Sequence, residues 1–355
     1  MQSLAFRLPE PTGERHRLRP VFLPFSGCPG RCVYCSQELQ TATSPVSLAS
    51  HLQRMTEELE TALQEGHPPF ELGFFGGTFT GLPDAWRDSF LRRAAAYREK
   101  GLVTRIRCST RPDRVDAKRL EGMRALGLNM VELGIQSFDE AVLRRSKRGY
   151  GAEAARTACR QVLESGLQLG IQLLPGLPGH GHRQWRRDVQ IAESFQPAAV
   201  RIYPCLVLRG TELDALYRAG SYRPWDLPET IRALAFAVFS FWRGNTPVIR
   251  MGLAPEPDML EQVAAGPWHP ALGNLVRSRI LIRFLYVHAV LTGPGPKCLF
   301  APQRYSGDIR GYRGANRLFL ARIGLDQESI TFWDRDYFVL EKRGTAGLPA
   351  AFLQV

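Results

Sequence analysis

No apolar run in the 355-residue chain approaches the roughly 18 residues of a membrane span, so the sequence predicts no transmembrane helix. The opening MQSLAFRLPEPTGERHRLRP is charged and interrupted by prolines, and it lacks the apolar centre of a secretory signal. Both absences lead to an expected place in the cytoplasm, with no membrane among the partners. A disulfide framework is missing too: the cysteines number seven, and three of them fall within eight residues. Close-set thiols in a cytosolic chain bind metal more readily than they pair. The other four, Cys108, Cys159, Cys205 and Cys298, stand in apolar surroundings and read as buried small hydrophobes. Acidic residues are in deficit, 34 against 46 Lys and Arg, for a net charge of +12. Ala271–Val355 holds 12 Lys/Arg against 6 Asp/Glu, which is half of the excess in the last quarter. Such a skew points to an anionic partner, RNA first, against the plainer reading of a solvated basic face.

What is present is a rhythm. From Arg19 to about Val207, short apolar runs alternate with helical periods. Val21–Phe25, Glu71–Phe75, Arg105–Cys108, Leu128–Ile135, Leu167–Leu174 and Ala198–Tyr203 read as six strands. Between the first two, Leu48, Leu52, Met55, Leu59 and Leu63 recur at helical spacing behind a Ser44-Pro45 start. Asp84 reads as the cap of a helix carrying Trp86, Phe90, Ala94 and Tyr97 on one face. Asp116 opens the next helix, which stops at Gly127; another stops at Gly166, and a further one spans about Arg183–Phe195. Repeated strand–helix units demand a parallel sheet with right-handed crossovers. The expected fold is therefore α/β, a partial (βα)6 TIM-like barrel whose chemistry sits on the loops after the strands. The expected domains are the barrel at 19–245, a connecting segment at 246–270 and a small basic α+β extension at 271–355.

The strongest motif follows the first strand. GCPGRCVYC places Cys28, Cys32 and Cys35 at C-x3-C-x2-C spacing. Three thiolates so close can bind three irons of a four-iron cube, a cluster that normally takes four such ligands. With no fourth cysteine nearby, one iron stays open to a small molecule. Zinc would need a fourth protein ligand, for which His51 or a distant cysteine is available, and its structural sites favour paired C-x2-C knuckles. The later loops add polar groups: Gly76-Gly77-Thr78 after the second strand, where glycine permits close backbone approach. Ser109 and Arg111 follow the third strand, Gln136 the fourth, Arg148 lies just beyond, and Gln172 precedes the LPGLPG run of Leu174–Gly179. Glutamine can donate to and accept from a ribose or carboxylate, and Arg111 or Arg148 can clamp a carboxylate in a fork. His180 and His182, in GHGH, have no acidic or thiol neighbour in the sequence and read as a polar loop.

C-x3-C-x2-C with Tyr34 before the last cysteine resembles the signature of the radical S-adenosylmethionine (radical SAM) enzymes. The resemblance implies a 4Fe-4S cluster on Cys28, Cys32 and Cys35, with the methionine end of S-adenosylmethionine on the open iron. It implies reductive cleavage to a 5′-deoxyadenosyl radical, fed by an electron donor of flavodoxin or ferredoxin type. Gly76, Gly77 and Thr78 stand where that family seats the methionine amino group, as Gly-Gly-Thr in place of the general Gly-Gly-Glu. The same resemblance gives Gln136 and Arg111 or Arg148 to ribose and carboxylate, and places Gln172 and LPGLPG beside adenine. From about Arg19 to Pro270, GGTFTGLP, TRPD, ELGIQSFDE, SKRGY, LLPGLPG and RIYPCLVLRGT resemble the radical domain of the Elongator catalytic subunit. The cysteine spacing is the short general form, unlike that subunit's longer one, and 85 residues after Pro270 are too few for its acetyltransferase domain. The resemblance thus implies RNA binding without implying carboxymethylation of uridine. ELGIQS and PGLPG also resemble anaerobic coproporphyrinogen oxidases, which makes a porphyrin-like small molecule the alternative substrate.

The last 85 residues differ in character. Leu272–Val290 has helical periodicity, with Arg277, Arg279 and Arg283 toward solvent. RYSGDIRGYRGANR (Arg304–Arg317) alternates arginine with Tyr305 and Tyr312, a composition suited to phosphate contact and base stacking. Arg304, Arg310, Arg313 and Arg317 are the expected RNA contacts, against the alternative of a basic loop packed on the barrel. Ile330–Phe332 and Tyr337–Leu340 read as a closing hairpin. Besides a radical enzyme acting on RNA, the sequence admits an RNA-associated iron–sulfur module without turnover.

Overall fold

Short apolar strands stopped by glycine turns build the chain into two units in a computed structural model, which describes residues 3–12, 17–36, 47–252 and 261–343. The larger unit is Pro11–Thr230 with Ser240–Pro270; the smaller is Met1–Glu10, Ile231–Phe239 and Ala271–Val355. The first strand, β1 (Ser3–Phe6), belongs to the smaller unit. The larger holds β2 (Leu18–Leu23), β3 (Phe70–Gly76), β4 (Val103–Thr110), β5 (Met130–Gln136), β6 (Gln168–Leu173) and β7 (Ala199–Ile202). After them come β8 (Val207–Leu208), β9 (Val248–Met251) and β10 (Val263–Ala265). Seven of these form one parallel sheet in the order β2-β3-β4-β5-β6-β7-β9, while β8 and β10 pair separately and antiparallel. With β2 and β9 as its two edges the sheet is open, so the architecture is a partial TIM-like barrel. All six expected strands are present. The seventh, β9, falls in the stretch read as a connection, because it is four residues long and half exposed, and so carries no apolar signature.

Apolar burial holds the sheet to its helices. Leu72, Phe74, Ile106, Val131, Leu133 and Ile135 are fully buried against Leu59, Phe90, Leu91, Leu120, Met123 and Val162 of the covering helices. Each such side chain is worth about 1.5–3 kcal/mol on burial. The helix Leu48–Gln64 is capped by Ser47, whose Oγ accepts from Ser50 N at 3.1 Å; the expected Ser44-Pro45 start lies outside the described residues. Asp84 does not cap its helix: Pro83 holds that position and Asp84 is the first helical residue. There its carboxylate meets Arg87 at 2.6 Å, at an end where negative charge is favoured. Asp116 caps as expected, accepting from Arg119 N at 2.8 Å.

The smaller unit adds β11 (Lys297–Pro302), β12 (Ile330–Trp333) and β13 (Phe338–Lys342), in a sheet ordered β1-β13-β11-β12. The expected hairpin does not form. β11 lies between its two strands because Leu299 pairs with Ile330 on one edge and Leu340 on the other, which lets the central strand bury Leu299 and Ala301 completely. On the helix Leu272–Thr292, Arg279 and Arg283 are exposed as expected, but Arg277 is not. Its guanidinium ion-pairs with both Glu10 and Asp308. Among the described residues no helix is long and apolar enough to cross a membrane.

Candidate active site

The cysteine loop is shaped by the loop that crosses it. Phe25 and Gly27 take left-handed backbone, φ +55° and +76°, to turn the chain after β2. A Cβ on Gly27 would lie 2.2 Å from Thr78 O, and one on Gly77 would lie 2.1 Å from Ser26 O. Only glycine on both sides lets these loops cross, and Thr78 N then donates to Ser26 O at 2.7 Å. Thr78 Oγ1 comes to rest 3.1 Å from Cys28 Sγ. Gly77 is thus required first by the neighbouring backbone, a reason that motif reading alone does not give.

The crossing loops open onto a cavity of about 560 Å³ at the strand ends. All eight positions expected around a cofactor, from Gly76 to Gln172, line it together with Cys28, Cys32 and Cys35. Arg148 Nη1 donates to Cys32 Sγ at 3.0 Å and to Tyr34 Oη at 3.1 Å, while Nη2 donates to Gly134 O at 2.7 Å and Nε to Tyr150 Oη at 2.9 Å. Arg111 directs its fork at Asp113 (2.9 and 3.1 Å), leaving Nη1 3.9 Å from Cys32 Sγ. Both guanidiniums are therefore anchored by the chain, and their joint effect is to set positive charge beside Cys32. Burial pushes the Tyr34 and Tyr150 phenols up, with Arg148 opposing, and both stay neutral.

Two features test whether the residues suit an iron–sulfur cluster with S-adenosylmethionine. The donors are three thiols carrying no disulfide, the soft ligands that iron–sulfur clusters take. The cavity wall includes Arg111, Arg148, Arg201 and Arg250 and no carboxylate, a field suited to an anionic cluster and a carboxylate ligand. Gln136 gives a sharper sign. It is buried, its backbone is left-handed at φ +67°, and its Oε1 has no partner. A buried amide oxygen left unpaired costs about 1–3 kcal/mol, and strain of this kind persists where a ligand will use it. The residues fit the pair. Among the described residues no three His, Cys, Asp or Glu side chains are gathered as a finished metal site; the thiols share the cavity while Cys28 faces Thr78 and Cys32 faces Arg148.

Other side chains on the wall carry no signature in the motifs. Arg201, on β7, lies 4.8 Å over the Phe75 ring, and its Nη1 donates to Tyr203 Oη at 3.1 Å. It ion-pairs with Glu132, which meets Arg107 at 3.3 Å; Arg107 meets Glu71 at 3.3 Å in turn. A charge inside an otherwise apolar parallel strand, as in VELGI and FELGF, is the signal that could have exposed this network. Outside the cavity, His180 is buried with Nε2 3.1 Å from Asp188, and His182 meets Glu229 at 2.9 Å. The histidines therefore do have acidic partners, supplied by helices. His51 is buried on the first helix, accepting or donating with Arg54 at 2.9 Å, and it does not line the cavity.

Of the expected RNA contacts, Arg304, Arg310, Arg313 and Arg317 are all exposed. Arg304, Arg310 and Arg313 lie 4.9, 5.4 and 5.3 Å over the rings of Tyr305, Phe332 and Tyr312. Tyr305 itself is buried and donates to Glu10 at 2.8 Å, so it belongs to the core and not to a stacking surface.

An open parallel sheet with a three-cysteine loop at its strand ends is a known kind of protein. Residues 22–191 match the model of the radical SAM superfamily and residues 197–281 that of the Radical_SAM C-terminal domain. The chain belongs to the radical SAM superfamily, whose members bind a 4Fe-4S cluster and S-adenosylmethionine. It is similar to the tRNA uridine(34) acetyltransferase of Methanocaldococcus infernus, 30% identical over 249 residues, which are 59% of this chain and 47% of that protein. It is similar also to Elongator complex protein 3 of Homo sapiens, 30% identical over 241 residues, 56% of this chain and 44% of that one. The solved structure of the archaeal Methanocaldococcus infernus Elp3 with an N-terminal deletion superposes with a TM-score of 0.58 at 26% identity, over 76% of this chain and 64% of that one. The chain spans about half the length of the curated relatives it matches.

Proposed function

We propose that this chain is a radical SAM enzyme acting on RNA of tRNA type. The observation that supports it most is the meeting of the three thiols, the Gly76–Thr78 loop and the unpaired Gln136 amide on one cationic cavity. When bound, the cluster and S-adenosylmethionine supply a 5′-deoxyadenosyl radical by one-electron cleavage, with the electron from a flavodoxin- or ferredoxin-type donor. Cys28, Cys32 and Cys35 hold the cluster. Thr78 orients Cys28, and Arg148 with Arg111 favours the thiolate form of Cys32 by charge. Gln136 turns its amide to the ribose or carboxylate, with Ser109 and Gln172 as further polar contacts and Gly76 and Gly77 giving backbone access. Phe22, Phe25, Phe75 and Leu206 exclude water from the reacting centre. For RNA, the support is the names of the relatives, the net charge of +12 and the exposed Arg304, Arg310, Arg313 and Arg317 on a basic domain at 271–355. A cytoplasmic site of action follows from the same reading.

Anaerobic reconstitution with iron and sulfide, then reduction with S-adenosylmethionine, tests this. We expect a brown protein that forms 5′-deoxyadenosine, faster when tRNA is added. A colourless zinc protein would sink the proposal. A brown protein inert with and without RNA would instead make it a binding module, and turnover indifferent to RNA would point to a small-molecule substrate.

A further inference from the structure

Cys205 follows β7 on the wall of the same cavity, 2% exposed, with its backbone N donating to Pro175 O at 2.9 Å. It packs in one cluster with Tyr222, and the thiol and phenol are hydrogen-bonded. Tyr222 Oη donates to Gly176 O at 2.6 Å, and the Cβ position of Gly176 is 3.7 Å from Cys205 Cβ. Tyr222 also lines a second, more open cavity of about 660 Å³, with Trp225 and Arg145. The two side chains thus stand in line between the closed cavity, where Gln136 waits unpaired, and a wet one.

We propose that Cys205 and Tyr222 form a hydrogen-atom relay that quenches a carbon-centred radical in the cavity. The inference rests on the radical reading above. In the first step the Cys205 S–H bond breaks and a C–H bond forms on the carbon radical, leaving a thiyl radical. In the second the Tyr222 O–H bond breaks and the S–H bond re-forms, leaving a phenoxyl radical. One electron from a flavin- or iron–sulfur-class donor and one proton from water in the second cavity restore the phenol. Each step moves one electron and one proton, so the chain returns to its starting state. Thiol S–H and phenol O–H bonds are both weaker than the C–H bond formed, and close to each other in strength, which makes the sequence downhill and then nearly level. Burial pushes the Cys205 thiol up to about 12, so the hydrogen is in place at neutral pH.

The test needs no RNA. The reconstituted full chain is reduced in D2O with S-adenosylmethionine, and the 5′-deoxyadenosine is weighed by mass spectrometry. Amide and hydroxyl deuterium is held too tightly to transfer, so deuterium in the product reports a thiol or phenol. We expect Cys205→Ser to lower the incorporated deuterium about tenfold. Tyr203→Phe, which removes another cavity phenol, leaves it unchanged. Tyr222→Phe keeps the first deuterium and loses a phenoxyl signal in electron paramagnetic resonance. A second measurement uses the chain without its cluster: the infrared S–H band missing from Cys205→Ser should shift to higher wavenumber in Tyr222→Phe. Equal deuterium in wild type and Cys205→Ser, or an S–H band unmoved by Tyr222→Phe, overturns the relay. No 5′-deoxyadenosine from any variant overturns the radical reading, and the relay with it.

Discussion

At Arg148 one buried guanidinium meets Cys32 Sγ, the Tyr34 and Tyr150 hydroxyls and the Gly134 carbonyl. Arg148→Ala leaves those groups buried without a donor, at a cost of about 2–3 kcal/mol. The urea midpoint should fall accordingly, and the iron bound after reconstitution should fall with it. Arg148→Lys keeps the charge but not the planar fork, so it should recover part of the iron and little of the stability. Cys35 behaves differently because it sits half-buried on a loop. Cys35→Ala should abolish cluster binding while leaving the urea midpoint of the cluster-free chain within about 0.5 kcal/mol. Four irons per chain in that variant would remove Cys35 from the ligand set. Both residues are readable in the sequence as polar positions after strands; what each one touches is not.

Elements bring a different kind of sensitivity, since two loops or a strand and a helix must meet. The turn after β3 fits under the cysteine loop only with glycine at 77. Gly77→Ala forces those backbones apart, a strain of about 1–3 kcal/mol, and should reduce both the melting temperature and the iron content. In the smaller unit, Glu10 follows β1 and meets Arg277 of the long helix and Tyr305. Burial works to raise the Glu10 carboxyl, but Arg277 and Tyr305 together hold it below the usual carboxylate range. A depressed folded value stabilises the protein above the unfolded value and loses that contribution as pH falls through the folded one. The melting-temperature gap between wild type and Glu10→Gln should therefore be full near neutrality and close below about pH 4. A gap that stays constant down to pH 3 would contradict this. Asp308, on the same arginine, runs the other way, since burial raises it. The helix Leu272–Thr292 is legible from periodicity; its clasp on a residue 267 positions earlier is not.

For the whole molecule the dominant feature is charge carried on arginine. Of 46 basic residues only five are lysine: Lys100, Lys118, Lys147, Lys297 and Lys342. Arginine binds phosphate in a fork and lies flat on rings, as Arg304, Arg310 and Arg313 already do within the chain. If the basic domain meets RNA, the triple change Arg310→Ala, Arg313→Ala, Arg317→Ala should weaken tRNA binding. It should also flatten the dependence of log affinity on log salt, by about 0.7–0.9 for each phosphate left without its arginine. A salt slope equal to that of the wild type would return these arginines to a solvated face. S-adenosylmethionine cleavage without RNA should be unaffected.

The sequence by itself determined what depends on neighbours along the chain. Helix stops at Gly127 and Gly166, the cap at Asp116, six apolar strands and the C-x3-C-x2-C loop all follow from dihedral freedom, periodicity and spacing over a few residues. Tertiary structure alone decided which groups meet across long separations. It turned the Arg111 fork to Asp113 and set Arg148 against Cys32, 116 residues away. It drew Arg277 and Tyr305 into the core around Glu10, placed β11 between the strands of the expected hairpin, and added β9 to the open edge of the barrel. The physical reason is that a charged or aromatic side chain lowers its free energy either in water or against a buried partner. Which of the two it finds is set by the packing of distant elements, and local spacing carries no record of that choice.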